Sequence, residues 1–105
     1  MRRGDIVVAV MPGDYGKPRP ALVVQAERFD DTPSVTVLPI TSIVIDAPLL
    51  RVNIGTDGGL ERPSQIQIDK LHTPLRKRVA KVIGRADAAT MTEVNRALVL
   101  FLGLA

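Results

Sequence analysis

Short β-branched runs, each closed by Gly, Pro or Asp, fill most of the chain and predict strands. Six such runs are present: GDIVVAVM (4–11), RPALVVQA (19–26), SVTVLPIT (34–41), LLRVNI (49–54), SQIQID (64–69) and RVAKVIGR (78–85). Alternation is cleanest in the fifth, where Ile66 and Ile68 oppose Gln65, Gln67 and Asp69. Pro39 has no N–H to give a ladder, so pairing is expected to break or bulge within the third run. After residue 86 the period changes. Met91, Val94, Leu98 and Phe101 recur at three- and four-residue steps, the stripe of a helix lying on a core. Asp87 fits its N-cap and Gly103 its left-handed C-terminal cap. Ala97, Leu100, Leu102 and Leu104 fall off that stripe and predict a subunit or partner interface. Short strands followed by one terminal helix imply a small, strongly bent antiparallel barrel, mainly β, in a single domain spanning 1–105.

Composition narrows the function classes. The 105 residues contain no cysteine, which excludes disulfides and thiolate metal sites, and only one histidine. Carboxylates follow no metal-ligand spacing, so neither a metal nor another cofactor is expected. Aromatic residues are limited to Tyr15, Phe29 and Phe101, too few for a platform of stacked bases. The apolar runs at both ends are shorter than a signal peptide or a membrane span requires, and a cytoplasmic protein is the expectation. Net charge is +3, which permits a polyanionic partner without pointing to one. Its clustering says more: Arg2, Arg3, Lys17 and Arg19 lie early, and Arg76, Lys77, Arg78, Lys81 and Arg85 late.

The stretch GKPRPALVVQ (16–25) is unusual in one respect. Arg19 stands between Pro18 and Pro20 at the mouth of a strand, where glycine or asparagine would turn the chain with less constraint. Proline fixes its own φ and holds the residue before it in extended geometry, so this backbone is stiff on both sides. By residue type alone, Arg19 is either an ordinary surface arginine or a guanidinium deliberately held still.

Five segments in order carry a family resemblance over the full length: RRGDIVVAV, RPALVVQ, SVTVLPITS, GLERPSQIQID and RALVLFLGL. Together they resemble the MazF/PemK toxins of bacterial type II toxin–antitoxin pairs. The resemblance implies an SH3-like barrel with a C-terminal helix, assembled as a homodimer. It also implies a metal-independent endoribonuclease acting on single-stranded RNA, often mRNA, and a cognate antitoxin with an acidic, flexible tail. In such an enzyme the ribose 2′-hydroxyl attacks the adjacent phosphorus and leaves a 2′,3′-cyclic phosphate. The protein must accept one proton, supply another and neutralise the phosphoryl oxygens.

Carried onto this chain, the resemblance places Arg19, Thr41 and Asp69 in the catalytic set. Arg19 is the arginine of the Arg-Pro motif, suited to two phosphate oxygens at once. Thr41 belongs to the segment written here PITS, with Ser42 in support, and Asp69 is the aspartate that ends the fifth strand. RNA-binding candidates are Asp14, Tyr15 and Lys17 in the first loop, with Ser42, Gln67, Lys70 and His72. Here the chain departs from the family pattern: Lys70 stands where glutamine is frequent, His72 where arginine is, and the first loop is several residues shorter. The basic run Arg76-Lys77-Arg78 could attract phosphates or form a solvated turn. The third and fourth strands also resemble the CcdB gyrase poisons, which share the fold and act by binding. Their terminal Trp-Gly-Ile anchor is missing, since the chain has no tryptophan. A family member that binds only its antitoxin is the remaining alternative.

Overall fold

A computed structural model of the chain describes every residue except Pro12, Asp14 and Ala105. Its strands are β1 (Asp5–Val10), β2 (Pro18–Val23), β3 (Val37–Thr41), β4 (Arg51–Ile54), β5 (Ser64–Gln67) and β6 (Val79–Arg85), and the helix is α1 (Ala88–Phe101). Three 3₁₀ turns, Glu27–Phe29, Ile68–Lys70 and Arg76–Arg78, lie between them. The strands form one antiparallel sheet in the order β4-β5-β3-β2-β1-β6.

Alternation along these strands feeds two apolar clusters. Ile6, Leu22, Leu38, Ile40, Val52, Ile66 and Ile68 form the larger, together with Val94 of α1. Val7, Ala9, Ala21, Val23, Val35 and Val37 form the smaller. Successive residues of one strand thus enter different clusters, as a period of two requires.

Strand boundaries differ from expectation where donors are lost. Pro39 stays in β3 opposite Ala21, but on its other side the β3–β5 ladder contains only Ile40↔Ile66 and Thr41↔Gln65. With no N–H at Pro39, the opposing chain leaves the sheet after Gln67 as the 3₁₀ turn Ile68–Lys70 and rejoins at a Val37↔His72 bridge. Asp69 therefore lies on a turn and not on the predicted strand end. Strand four starts at Arg51 because Leu50 and Arg51 both donate to the Ala47 carbonyl, at 3.0 and 2.9 Å, in the turn carrying Pro48.

The sheet does not close strand to strand, since β4 and β6 are its two edges. The loop after β4 bridges the gap. Arg85 N–H donates to the Gly58 carbonyl at 3.1 Å, and Gly58 and Gly59 press directly on Ile83 and Gly84. A Cβ on Gly84 would stand 1.4 Å from the Gly58 oxygen, so only glycine fits this closure.

Helix α1 is capped as the sequence predicts. The Asp87 carboxylate accepts the Thr90 N–H at 2.8 Å, and that bond holds the carboxyl below its usual range. At the other end Gly103 takes φ +72°. Leu104 N–H bonds the Val99 carbonyl at 2.9 Å and Gly103 N–H the Leu100 carbonyl at 3.2 Å, a Schellman closure. Val94 is fully buried, with Met91, Ala97 and Leu98 packed beside it. Burial of a side chain such as Val94 contributes roughly 1.5–3 kcal/mol. Phe101 is 45% exposed, so the buried stripe runs through Ala97 and not through Phe101 as the spacing suggested. Arg3 fastens the helix to the sheet, its guanidinium donating to the Val24 carbonyl and to Asn95 Oδ1. Partial burial lowers the Arg3 pKa from its usual value. Asp5 accepts Arg2 N–H at 2.9 Å and Arg85 Nη1 at 2.7 Å, which makes the Arg-Gly-Asp start a structural latch.

Candidate functional site

The prolines around Arg19 open a cleft as well as stiffening the chain. The β2–β3 ladder runs from Val23↔Val37 to Ala21↔Pro39 and goes no further. Pro18, Pro20 and Pro39 offer no donor to extend it. Beyond that pair Ile40 and Thr41 of β3 pair with β5 and no longer with β2.

Continued two residues past Ala21↔Pro39, the register sets Arg19 opposite Thr41. Arg19 is held from behind by pairing with Ala9 on β1, and Thr41 by pairing with Gln65 on β5. A cleft of about 660 Å³ occupies the space, lined by Arg19, Thr41, Ser42 and Gln67, by Val8 and Ile83 below, and by the 59–64 segment. Glu61, Arg62 and Ser64 come from that segment, and Lys81 comes from β6. Among the described residues that line it, three cations stand against one carboxylate, a positive balance that suits a phosphodiester.

Thr41 has a defined orientation. Its Oγ1 accepts the Ile43 N–H at 3.1 Å, a local turn that leaves the hydroxyl hydrogen to be donated elsewhere. The following segment is clamped in turn by Gln65, which is buried and fully engaged. Gln65 Oε1 accepts Ile45 N–H and Arg51 Nη1, and its Nε2 donates to the Ile45 carbonyl and Asn53 Oδ1, all at 3.1 Å. Arg51 also donates to the Ile43 carbonyl at 3.1 Å. The threonine is thus positioned by a polar network with no unsatisfied buried atom among the described residues.

Of the residues expected from sequence, Arg19, Thr41, Ser42 and Gln67 come together on this cleft. Asp69 and Lys70 are exposed on the 3₁₀ turn and are not among the lining residues. Lys17 precedes the lining at Pro18. Tyr15 and His72 meet elsewhere, on a second depression of about 630 Å³ that also includes Leu75 and Arg78. Tyr15 is fully exposed with φ +52°, and His72 exchanges backbone hydrogen bonds with Val37. Asp14 lies outside the described residues. In the basic run, Arg76 Nε donates to the Thr32 carbonyl at 2.6 Å, so this side chain secures the 29–32 turn. Among the described residues no three His, Cys, Asp or Glu side chains are placed to hold a metal ion. No helix there is long and apolar enough to cross a membrane.

Sequence reasoning missed Glu61, Arg62, Ser64 and Lys81. The ERPS segment held a usable signal, since it immediately precedes a strand with clean alternation. Lys81 held none, because its direction depends on irregular pairing with β1.

A small bent sheet with one terminal helix and an arginine–threonine cleft defines the class, and comparison with known proteins defines the family. Residues 2–102 match the PemK-like, MazF-like toxins of type II toxin–antitoxin systems. The chain belongs to that family. It is 47% identical over 108 residues to a probable endoribonuclease MazF of Mycolicibacterium smegmatis, covering 100% of this chain and 99% of the relative. It is 30% identical over 115 residues to endoribonuclease MazF9 of Mycobacterium tuberculosis, covering 99% and 98%. Among solved structures, M. tuberculosis toxin MazF-mt6 superposes with a TM-score of 0.85 at 25% identity, covering 96% of this chain and 98% of that one. A MazE–MazF crystal structure from Deinococcus radiodurans gives 0.83 at 25% identity, covering 100% and 97%.

Proposed function

We propose that this toxin is a metal-independent endoribonuclease that cuts single-stranded RNA, chiefly mRNA, through the substrate's own 2′-hydroxyl. The observation that carries the reading is the opposition of Arg19 and Thr41 across a cationic cleft. The naming of the M. smegmatis and M. tuberculosis relatives as endoribonucleases supports it. In the reaction, the 2′-hydroxyl gives its proton to a carboxylate and its oxygen bonds to phosphorus. The bond from phosphorus to the 5′-oxygen breaks, and that oxygen takes a proton from the Arg19 guanidinium or from water. The products are a 2′,3′-cyclic phosphate and a 5′-hydroxyl.

Arg19 neutralises the charge that builds on the non-bridging oxygens, as a rigid two-pronged donor does best. Thr41 donates its hydroxyl to the same phosphate. The proton acceptor is a choice between Glu61, on the cleft, and Asp69, on the turn outside it. Ser42, Gln67, Lys70, His72, Tyr15, Lys17 and Asp14 are proposed contacts along the RNA. The partner is a cognate antitoxin whose acidic, flexible tail occupies this cationic cleft in place of RNA. The toxin acts in the cytoplasm as a homodimer, with the exposed Leu100, Leu102 and Leu104 of the helix end available to the contact.

The test is cleavage of a long single-stranded RNA in EDTA, with analysis of the ends. Cyclic phosphate ends that disappear in Arg19→Ala are the expected result. An Arg19→Ala protein that cuts as fast as wild type refutes the assignment.

A further inference from the structure

Strand β6 does not pair evenly with β1. Ile6↔Gly84 is followed by Val7↔Val82, and Val8↔Lys81 by Ala9↔Val79, so Ile83 and Ala80 are each left without an opposite residue. These are two bulges within one seven-residue strand. Their consequence for Lys81 can be worked out from alternation. Val79 packs with Ala9 on the smaller apolar cluster. In an unbroken strand, residue 81 would share the face of residue 79 and place its ammonium over that cluster. The bulge at Ala80 reverses the parity. Lys81 instead stands beside Val8, on the wall of the cleft, with Ile83 as its neighbour there. The side chain is exposed, and among the described residues no carboxylate pairs with it.

Lys81 and Arg19 are not equivalent. In sheet order β1 lies between β2 and β6, so their strands are two spacings apart, on the order of 10 Å. Arg19 pairs with Ala9, and Lys81 pairs with Val8, so the two enter the cleft from opposite faces of the sheet. We propose that Lys81, re-aimed by the Ala80 bulge, holds a backbone phosphate neighbouring the one that Arg19 attends, fixing the course of the strand through the cleft. A compact ammonium serves this purpose, because a positioning phosphate needs a charge and not a fixed fork. This rests on the ribonuclease reading above and assigns a contact that contributes to RNA affinity without taking part in bond breaking.

The experiment uses the full chain and a single-stranded RNA whose 2′-hydroxyls are methylated, so that binding is measured without cleavage. Affinity is followed by fluorescence anisotropy across a salt series for wild type, Lys81→Gln and Lys81→Arg. The expected result is weaker binding by Lys81→Gln, with the slope of log K against log salt shallower by about 0.7, the share of one phosphate contact on a single strand. Lys81→Arg should restore the slope. On cleavable RNA, Lys81→Gln should raise KM and leave kcat unchanged. An unaltered slope in Lys81→Gln overturns the proposal while the ribonuclease reading stands. Absence of any RNA binding by the wild type overturns both.

Discussion

Gly84→Ala should be among the most damaging small substitutions this chain can take. The added Cβ would lie 1.4 Å from the Gly58 oxygen and 3.2 Å from the Gly59 Cα, both backbone atoms. Ordinary contact begins near 3.4 Å, so the 58–59 segment must retreat by roughly 2 Å. That movement breaks the bond from Arg85 N–H to the Gly58 carbonyl, about 1 kcal/mol net. It also draws Leu60, 8% exposed and part of the main cluster, toward solvent, at roughly 1.5–3 kcal/mol. Together these amount to about 2.5–4 kcal/mol, a large share of the 5–15 kcal/mol typical of a domain. A fall in Tm on the order of 15–25 °C follows for a chain of this length. Because Glu61 and Arg62 ride on the same segment, the cleft should loosen as well. Urea and thermal unfolding measure the effect, with Gly55→Ala as the control: a Cβ there meets nothing within 4 Å, and its stability should stay within ~0.5 kcal/mol. If Gly84→Ala melts within a few degrees of wild type, the loop does not close the sheet in the manner described.

Other predictions concern the cleft and the helix cap. Thr41→Val should lower RNA cleavage about 10²-fold or more, the scale of a lost transition-state donor, while Thr41→Ser retains most of it; equal rates in the two variants would remove the hydroxyl from the reaction. Comparing Glu61→Gln with Asp69→Asn at neutral pH assigns the proton acceptor: the variant that loses kcat with KM unchanged identifies it, and Glu61 is expected because it lines the cleft. Asp87→Ala should destabilise α1 at neutral pH. The Asp87 carboxyl is depressed by the Thr90 N–H, so its contribution is complete above the unfolded value of about 3.9 and is lost as pH falls through the lower folded value. The stability gap between wild type and Asp87→Ala should therefore narrow only in acid, and a gap independent of pH contradicts the role given to the charge.

The sequence by itself determined the elements and four of the residues that line the candidate cleft. Six strands, the terminal helix and both of its caps follow from local causes: alternation of β-branched residues, a carboxylate at Asp87 and a glycine able to take positive φ at Gly103. The two prolines around Arg19 and the donor missing at Pro39 were equally legible, because proline acts on the chain wherever it stands. What they accomplish was not. That the same three prolines end the β2–β3 ladder and open a cleft follows only from the register, which joins residues 14 to 18 positions apart. Tertiary structure alone moved Asp69 onto a turn, brought Glu61 and Arg62 over the cleft and, through an unpaired Ala80, turned Lys81 into it. A residue's face is fixed by counting along its own strand only while the pairing is even. Where a bulge inserts one unpaired residue, the neighbouring strand decides which way the next side chain points.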